Sequence, residues 1–342
     1  MRPALCFFLS ALPAFATPTG FPTSSPLRFL VLGDGGTGTD HQRAVGKAMA
    51  KVCAERGCHF AVGLGDNIYD FGADSDSDRQ FQLKFEEPYA ALNFPFFMVL
   101  GNHDQSGLIP GSGVDFYRGN HEVKYTAKSA RWMMPERYYR FAAPVASAKT
   151  YQPAVASPVL ELFAIDTNPL APQNMPRFDF YKPGAKYDLE QRAWLRKSLS
   201  ESKATWKAVM GHHPFLSNGH HGGAGEFGGL GLSKGMALKE FYLADICDKV
   251  DFIFNGHEHS MQWLSPVPSC GKTQFLVSGA AGKKGASSDR GRAAVWEAYN
   301  TLGFFWLEAS SEQMRIVGYT VNDAGVPEVG IDRAVKRPVK KL

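Results

Sequence analysis

The chain has 342 residues, of which 44% are hydrophobic, and a formal net charge of +4 at pH 7. This length and apolar content exclude a disordered chain and allow a large core, in one big α/β or β-sandwich domain or in two domains. A charge excess this small on a body of this size predicts no nucleic-acid-binding surface.

Residues 1–16 have the pattern of a signal peptide. Arg2 is followed by an apolar stretch from residue 4 to residue 15, and Ala14-Phe15-Ala16 resembles a cleavage site. The stretch is too short for a transmembrane helix, and no later segment reaches about 20 predominantly apolar residues. We therefore expect an exported protein, either secreted or periplasmic, without stable membrane insertion.

The first half of the chain alternates between predicted strands and helices. Strands are predicted from Leu27 to Gly33 and from Phe60 to Leu64, around a helix from His41 to Arg56. A second helix is predicted from Phe81 to Leu92. The pattern weakens between Gly107 and Val155, and we interpret that region as a long surface excursion.

The second half repeats this alternation. A strand is predicted from Val159 to Ile165, followed by a helix with Asp188 as N-cap and Leu189 on its inner face. Further strands are expected before Gly211 and before Gly256, and short strands dominate the rest of the chain.

No low-complexity linker divides the sequence, so a single domain is predicted at residues 27–320. Residues 321–342 are predicted to form a C-terminal tail. Its basic stretch, Arg333 to Lys341, is expected to be a solvated, frayed terminus.

Four cysteines lie outside the predicted leader, an even number that suits an oxidising compartment: Cys53, Cys58, Cys247 and Cys270. The first two bracket a predicted helix end, and the last two flank the strand before His257. We therefore favour local pairing within each couple, with four free, buried thiols as the alternative. A thiolate zinc site is not expected, because neither couple has CxxC spacing.

Five apolar runs are each followed by glycine and then by a residue that can bind a metal ion. The five junctions are Gly33-Asp34, Gly65-Asp66, Gly101-Asn102, Gly211-His212 and Gly256-His257. Because α/β proteins place their chemistry at the carboxyl ends of central strands, these side chains are predicted to meet.

The same residues, together with Tyr69 and His259, supply ligands for two metal ions. Such a pair, about 3.5 to 4 Å apart, needs a bridging carboxylate, hard oxygen ligands for one ion and imidazole or amide ligands for the other. Asp66 is the predicted bridge. The remaining ligands divide into two sets: Asp34, Tyr69 and one of His257 and His259; and Asn102, His212 and the other histidine.

Each junction also has a purely structural interpretation. Gly33-Asp34 can be a turn, Asn102-His103-Asp104 a capped turn, and His212-His213 a pair of buried imidazoles. Five such junctions in one chain favour the metal centre.

The ordered motifs GDGG, GDNIY, GNHD, GHHP and GHEH resemble those of the calcineurin-like metallophosphoesterases. The tyrosine at position 69 makes the chain similar to small purple acid phosphatases of the tartrate-resistant type, over roughly residues 27–319. This resemblance implies an α/β fold, a four-layer αββα sandwich of two mixed β-sheets flanked by helices. It also implies Fe(III) paired with a divalent metal, which can be iron, zinc or manganese.

The resemblance implies roles for individual residues. His103 is similar to the family's catalytic histidine. Two departures are Gly35, where animal members have Trp, and His220-His221, where they have a Glu-His pair. The implied ferric ligands are Asp34, Asp66, Tyr69 and His259, and the implied divalent ligands are Asp66, Asn102, His212 and His257.

These residues predict a secreted acid phosphatase that hydrolyses phosphate monoesters. Two cations can hold the phosphate oxygens and lower the pKa of a bound water, so that hydroxide attacks phosphorus. His103 is the first choice for protonating the leaving oxygen, with His220 or His221 assisting. The expected partner is a small-molecule phosphoester, and the sequence predicts no oligomeric state.

Two alternatives remain open. One is a phosphodiesterase or nucleotide hydrolase of the same fold with a manganese or zinc pair. The other is a metal-containing phosphoester-binding protein with little turnover, against which His103 argues.

Overall fold

The structure, a computed structural model, describes residues 26–143, 156–171, 178–228, 233–288 and 290–337. The predicted signal peptide lies outside the described residues. Two mixed β-sheets, each of seven strands within this part of the chain, form the centre of the molecule.

The first sheet has the strand order β14-β13-β12-β1-β2-β3-β4. The strands β1, β2, β3 and β4 are parallel, and β12, β13 and β14 extend the sheet by antiparallel pairing. The seven strands are β1 (Leu27–Leu32), β2 (Phe60–Gly63), β3 (Phe96–Met98), β4 (Trp132–Met133), β12 (Leu302–Ala309), β13 (Gln313–Val321) and β14 (Pro327–Lys336).

The second sheet has the order β11-β9-β10-β8-β7-β6-β5. Its central strands β6, β7, β8 and β10 are parallel. The seven strands are β5 (Tyr139–Ala143), β6 (Leu160–Ala164), β7 (Trp206–Met210), β8 (Phe252–Asn255), β9 (Met261–Leu264), β10 (Gln274–Ser278) and β11 (Ala294–Ala298).

Aromatic side chains join the two sheets face to face. The rings of Phe29 on β1 and Phe60 on β2 stack with centroids 4.8 Å apart, and Phe29 lies 6.4 Å from Phe254 on β8. Phe97 on β3 likewise stacks on Phe141 on β5. Burial on both faces explains why the central strands read as continuous apolar runs.

Helices accompany both sheets. The bounds are α1 (Asp40–Arg56), α2 (Phe116–Tyr125), α3 (Lys186–Glu201) and α4 (Met236–Phe241), with π-helical turns at Gln82–Glu86 and Tyr242–Ile246 and 3₁₀ turns at His103–Gln105 and Pro268–Cys270. Two mixed sheets with flanking helices confirm the predicted fold class. No helix in the described ranges is long and apolar enough to cross a bilayer.

Two predicted helices differ from the structure in detail. The helix α3 begins at Lys186 rather than after Asp188, whose carboxylate accepts a hydrogen bond from Gly184 N within the turn before the helix. Leu189 is 57% exposed and so does not face the core. Within the predicted helix 81–92, the regular segment is the short π-helical turn.

The predicted domain boundary at residue 320 is too early. The strand β14 pairs with β13 from Pro327 to Lys336, so most of the predicted tail belongs to the first sheet. The side chains of β14 are largely exposed, so its sequence lacks the apolar alternation that predicts a strand. Backbone hydrogen bonds to β13 hold it instead.

The cysteines pair locally, as predicted. The Cα atoms of Cys53 and Cys58 are 5.1 Å apart, and those of Cys247 and Cys270 are 4.3 Å apart. The first pair joins the last turn of α1 to the residues just after it, and the second joins the chain before β8 to the turn before β10.

Candidate metal centre

The five predicted junctions meet at one edge of the two sheets. The parallel strands β1, β2 and β3 deliver Asp34, Asp66 and Asn102, and the parallel strands β7 and β8 deliver His212 and His257. Parallel strands present their carboxyl ends on the same side, so the alternation of strand and helix places these loops together.

The backbone at three of these positions is unusual. Asp34, Asp66 and His257 have φ values of 58°, 53° and 69°, in the left-handed region that non-glycine residues rarely occupy. Glycines allow the loops to approach closely: a Cβ at Gly101 would lie 2.2 Å from both the backbone nitrogen and Oδ1 of Asp66. Strain of this kind is concentrated at functional sites.

One group of ligand atoms surrounds the phenol of Tyr69. The Tyr69 hydroxyl donates to Asp34 Oδ1 at 3.0 Å and lies 3.2 Å from His259 Nε2. His259 Nε2 is 3.6 Å from Asp34 Oδ1. We refer to these three residues as the phenol group.

A second group of ligand atoms surrounds the amide oxygen of Asn102. Asn102 Oδ1 lies 2.8 Å from His212 Nε2 and 3.1 Å from His257 Nδ1, and the two nitrogens are 3.2 Å apart. His212 Nδ1 is 2.8 Å from the carbonyl oxygen of Leu64, which can only accept a hydrogen bond. The ring therefore carries its proton on Nδ1, and Nε2 keeps a free electron pair that can bind a metal ion. These three residues form the amide group.

Asp66 lies between the two groups. Its Oδ1 is 3.4 Å from His212 Nε2 of the amide group, and its carboxylate also contacts the Tyr69 hydroxyl of the phenol group. Ligand atoms of Asp34, Asp66 and His212 all lie within 4.8 Å of one another. This is the position that a carboxylate shared by two ions requires.

Electrostatics favour cations at this position. Burial lowers the pKa of His212, lowers that of His257 well below its ordinary value, and lowers that of His259 to about 3, so burial favours the neutral, metal-binding form of each ring. Burial and the charge of Asp66 raise the pKa of Asp34. Burial also acts to raise the pKa of Asp66, but His212 and His103 outweigh it and the pKa falls.

The donor set therefore fits two hard or borderline cations. Carboxylate, phenol and amide oxygens with neutral imidazoles converge on two neighbouring points, in the combination expected for iron, zinc or manganese. The buried carboxylates repel one another, and bound cations would offset that repulsion. Burial together with Asp34 and Asp66 raises the pKa of Tyr69, so without a cation the phenol keeps its proton.

The three predicted catalytic histidines occupy different positions. The His103 ring lies 4.3 Å from the Tyr69 ring, and His103 Nδ1 is 2.8 Å from Asp70 O. The His221 ring lies 4.7 Å from the His257 ring, and burial lowers the pKa of His221. His220 is exposed, with its ring 5.5 Å from that of His221.

His213, which follows His212, is a buried imidazole. Its Nδ1 is hydrogen-bonded to Thr167 Oγ1 at 2.8 Å, and its ring packs 4.6 Å from the His257 ring. Ligand atoms of His212, His213 and His257 nevertheless all lie within 4.8 Å of one another. His212 is the one of the two adjacent histidines whose Nε2 lies 2.8 Å from Asn102 Oδ1 and 3.4 Å from Asp66 Oδ1.

Sequence reasoning gave no role to a buried acidic pair behind the centre. Asp104 accepts hydrogen bonds from the backbone nitrogens of Asn67, Ile68 and Gly101 at 2.7 to 2.8 Å. Glu122 on α2 accepts from Asn67 Nδ2 at 3.0 Å. The capped-turn interpretation of Asp104 was the available signal, whereas nothing local marked Glu122.

The fold and site together define a metallophosphoesterase. Residues 27–261 match the calcineurin-like phosphoesterase family, and the chain belongs to that family.

Curated relatives agree with this assignment. Purple acid phosphatase 4 of Arabidopsis thaliana is 30% identical over 313 residues, which cover 86% of this chain and 80% of the relative. Tartrate-resistant acid phosphatase type 5 of Oryctolagus cuniculus is 28% identical over 322 residues, covering 88% and 87% of the two chains.

Solved structures share the fold at lower identity. GAP50, described as the anchor in the inner membrane complex of Plasmodium, superposes with a TM-score of 0.69 at 19% identity. The superposition covers 93% of this chain and 91% of the GAP50 chain. PhoD superposes with a TM-score of 0.56 at 13% identity, covering 94% and 70%. At sequence identities this low, the structural similarity shows a shared fold and nothing more.

Proposed function

We propose that this phosphoric monoester hydrolase is an exported acid phosphatase with an Fe(III)-M(II) centre, in which M is iron, zinc or manganese. The observation that carries the proposal is the position of Asp66 between the phenol group and the amide group. The similarity to a purple acid phosphatase and to a tartrate-resistant acid phosphatase supports the acid phosphatase activity. The choice of iron rests on the buried phenol of Tyr69 among the ligand atoms.

Residues would divide between the two ions as the motifs suggest. Asp34, Tyr69 and His259 would hold the ferric ion, whereas Asn102, His212 and His257 would hold the divalent ion, with Asp66 common to both. When bound, the two cations bind phosphate oxygens and activate water as a nucleophile. The low pKa of His259, which is about 3 because the ring is buried, would keep that ligand available at acidic pH.

His103 is placed to serve the leaving group. Its Nδ1 faces the carbonyl of Asp70, which can only accept, so Nδ1 carries a proton and Nε2 is the end that can exchange one. Donation from Nε2 then requires a proton on that nitrogen as well. His221, against the amide group, would assist by contact with the phosphoester, and the exposed His220 is the weaker candidate.

Export is proposed on two grounds. The first 16 residues have a signal-peptide pattern, and two disulfides suit an oxidising compartment.

One experiment tests the proposed metals and the proposed activity. The purified protein is analysed for metals, its visible spectrum is recorded, and turnover of phenyl phosphate is measured between pH 4 and pH 8. We expect one iron and one further metal per chain, a visible band and fastest turnover in acid. A colourless, active protein with zinc or manganese only would support the alternative hydrolase, and metal without turnover would support the binding protein.

A further inference from the structure

A cleft of about 1060 Å³ lies beside the candidate metal centre. Tyr69 and His259 of the phenol group form part of its wall. A phosphoester held by the two cations could therefore extend its remaining part into this cleft.

Most of the cations that line the cleft are already held by protein groups. Asp40, Asp70 and Asp74 also line it, so the cleft as a whole is not strongly basic. The held cations are Lys84, which donates to Tyr69 O; Arg118, which pairs with Asp74 at 2.5 Å; and Lys284, which pairs with Asp323 at 2.7 Å.

Lys283 is different. Its Nζ lies 3.6 Å from the centre of the Tyr69 ring, and its recorded carboxylate contact within the described residues is Asp70 Oδ1 at 3.9 Å, too long for a hydrogen bond. The Lys283 side chain lines the cleft and is 32% exposed. Burial and Asp66 raise the pKa of Asp34, and the charge of Lys283 opposes that rise, so its field reaches the metal centre.

The backbone that carries Lys283 is fixed to the centre. Ala281 N donates to Gly33 O at 3.2 Å, in the loop that carries Asp34. A Cβ at Gly282 would lie 2.9 Å from Asp34 O. This tight contact holds the start of the Lys283 side chain at a set distance from the phenol group.

We propose that Lys283 binds a second anionic group of the substrate, so that the enzyme favours phosphoesters with a second phosphate or a carboxylate near the scissile phosphate. The inference rests on the proposed function. The two cations would neutralise the scissile phosphate, whereas a second anion in the cleft needs its own cation. Among the described residues that line the cleft, Lys283 is the lysine whose ammonium donates no hydrogen bond to a protein group.

An organic diphosphate illustrates the geometry and the chemistry. One oxygen links its two phosphorus atoms, so when the terminal phosphate lies at the metal centre the second phosphate lies beside Tyr69 and Lys283. In hydrolysis a water oxygen bonds to the terminal phosphorus and the bridging P–O bond breaks. The leaving monoester keeps the electron pair and takes a proton from the protein or solvent.

The test compares matched substrates on the metal-loaded enzyme. Ethyl phosphate is the reference, ethyl diphosphate adds a phosphate, and phosphoglycolate replaces the methyl group with a carboxylate. For Lys283→Met we expect kcat/KM for ethyl diphosphate, for phosphoglycolate or for both to fall about 10-fold more than kcat/KM for ethyl phosphate. The reason is the loss of a charge-assisted contact with the second anionic group. Lys283→Arg should restore most of the preference.

A control variant and the pattern across the three substrates show which anionic group Lys283 binds. The neighbouring Lys284→Met should change the substrate ratio less than about 2-fold, since its ammonium pairs with Asp323. A change confined to ethyl diphosphate would identify a phosphate as the second group, and one confined to phosphoglycolate would identify a carboxylate. Equal losses on all three substrates, or no loss on any, would overturn the proposal.

A binding measurement separates this inference from the proposed function. Calorimetry gives the Kd of pyrophosphate and of orthophosphate for the metal-loaded protein, without any need for turnover. We expect Lys283→Met to weaken pyrophosphate about 10-fold relative to orthophosphate. An unchanged ratio would overturn the role of Lys283, whereas failure of wild-type protein to hydrolyse ethyl phosphate would count against the phosphatase proposal alone.

Discussion

The phenol of Tyr69 donates a 3.0 Å hydrogen bond to Asp34, the carboxylate that follows β1. Both side chains are buried, and the same hydroxyl lies 3.2 Å from His259 Nε2. A trivalent cation at this point would replace the phenolic proton. Under the proposed assignment, this pair would distinguish an iron enzyme from one that uses only divalent ions.

The first prediction concerns colour. If Tyr69 binds Fe(III) as a phenolate, charge transfer from the ring to the metal gives a visible band. Tyr69→Phe should abolish the band and keep much of the hydrolysis, because Asp66 and His103 remain. Spectra are recorded beside iron analysis, with Tyr89→Phe as a control for loss of another buried phenol. A colourless wild type with full iron occupancy would contradict the ligand assignment.

The second prediction separates a shared ligand from a single-site ligand. Asp66→Ala should lose both metals and nearly all activity, because Asp66 contacts the phenol group and the amide group. Asn102→Ala should mainly weaken the divalent site, since Asn102 Oδ1 contacts only His212 and His257 among the predicted ligands. Metal content per chain by mass spectrometry is the measurement. Equal losses in the two variants would show that Asp66 does not bridge.

The third prediction concerns the leaving group. His103→Ala should lower kcat by a factor of about 10² to 10⁴ with both metals still bound. The loss should be smaller for aryl phosphates, whose leaving groups need little protonation, than for alkyl phosphates. His221→Ala should show the same dependence more weakly, and the exposed His220→Ala least of all. An equal loss on both substrate types would favour phosphate positioning as the role of His103.

The residues in these three predictions all belong to local sequence motifs, and such motifs are the part of the site that can be predicted from sequence alone. An apolar strand followed by glycine and a ligand residue is a local pattern, so the five junctions were predictable, as was the sheet edge where they meet. Binding of metal by these residues stays a prediction. Glu122 and Lys283 could not be found this way, because each reaches the centre from a distant part of the chain.

The elements that were predicted wrongly fail for a related reason. Leu189 is predicted on the inner face of the helix, but the buried stripe of α3 passes through Asp188, Gln191, Leu195 and Ser198 and leaves Leu189 exposed. The strand β14 was missed because backbone pairing, rather than apolar side chains, fixes it in the sheet.

The fourth prediction uses the buried acid pair in the metal-free protein. Burial and then Asp104 raise the pKa of Glu122 well above its ordinary 4.5, and burial raises the pKa of Asp104 to about 7. The unfolded chain therefore loses these protons first, and stability falls as the pH rises from about 4.5 through the folded-state pKa values.

Glu122→Gln removes one of the two ionisations and keeps the contact with Asn67. Its urea midpoint should fall less than that of wild type between pH 5 and pH 8, with the exposed Glu328→Gln as control. A Glu122→Gln profile parallel to that of wild type would show that Glu122 does not hold its proton in the folded state.

The fifth prediction compares the two disulfides. The sequence separations are 5 residues for Cys53–Cys58 and 23 residues for Cys247–Cys270. In the loop-entropy account the double change of Cys247 and Cys270 to Ser costs about 3 kcal/mol, and that of Cys53 and Cys58 about 2 kcal/mol. Urea unfolding of both double variants measures the difference. A larger loss for the short loop would contradict the entropic account.

The strand β14 is the outermost strand of the first sheet. An outer strand offers free backbone groups to which a strand of another molecule can add, and charged side chains or proline discourage such growth. Here Pro327 begins the strand, and Glu328, Asp332, Arg333 and Lys336 follow along it. The charged side chains and the proline of β14 therefore disfavour edge-to-edge addition of a strand from another molecule to the first sheet.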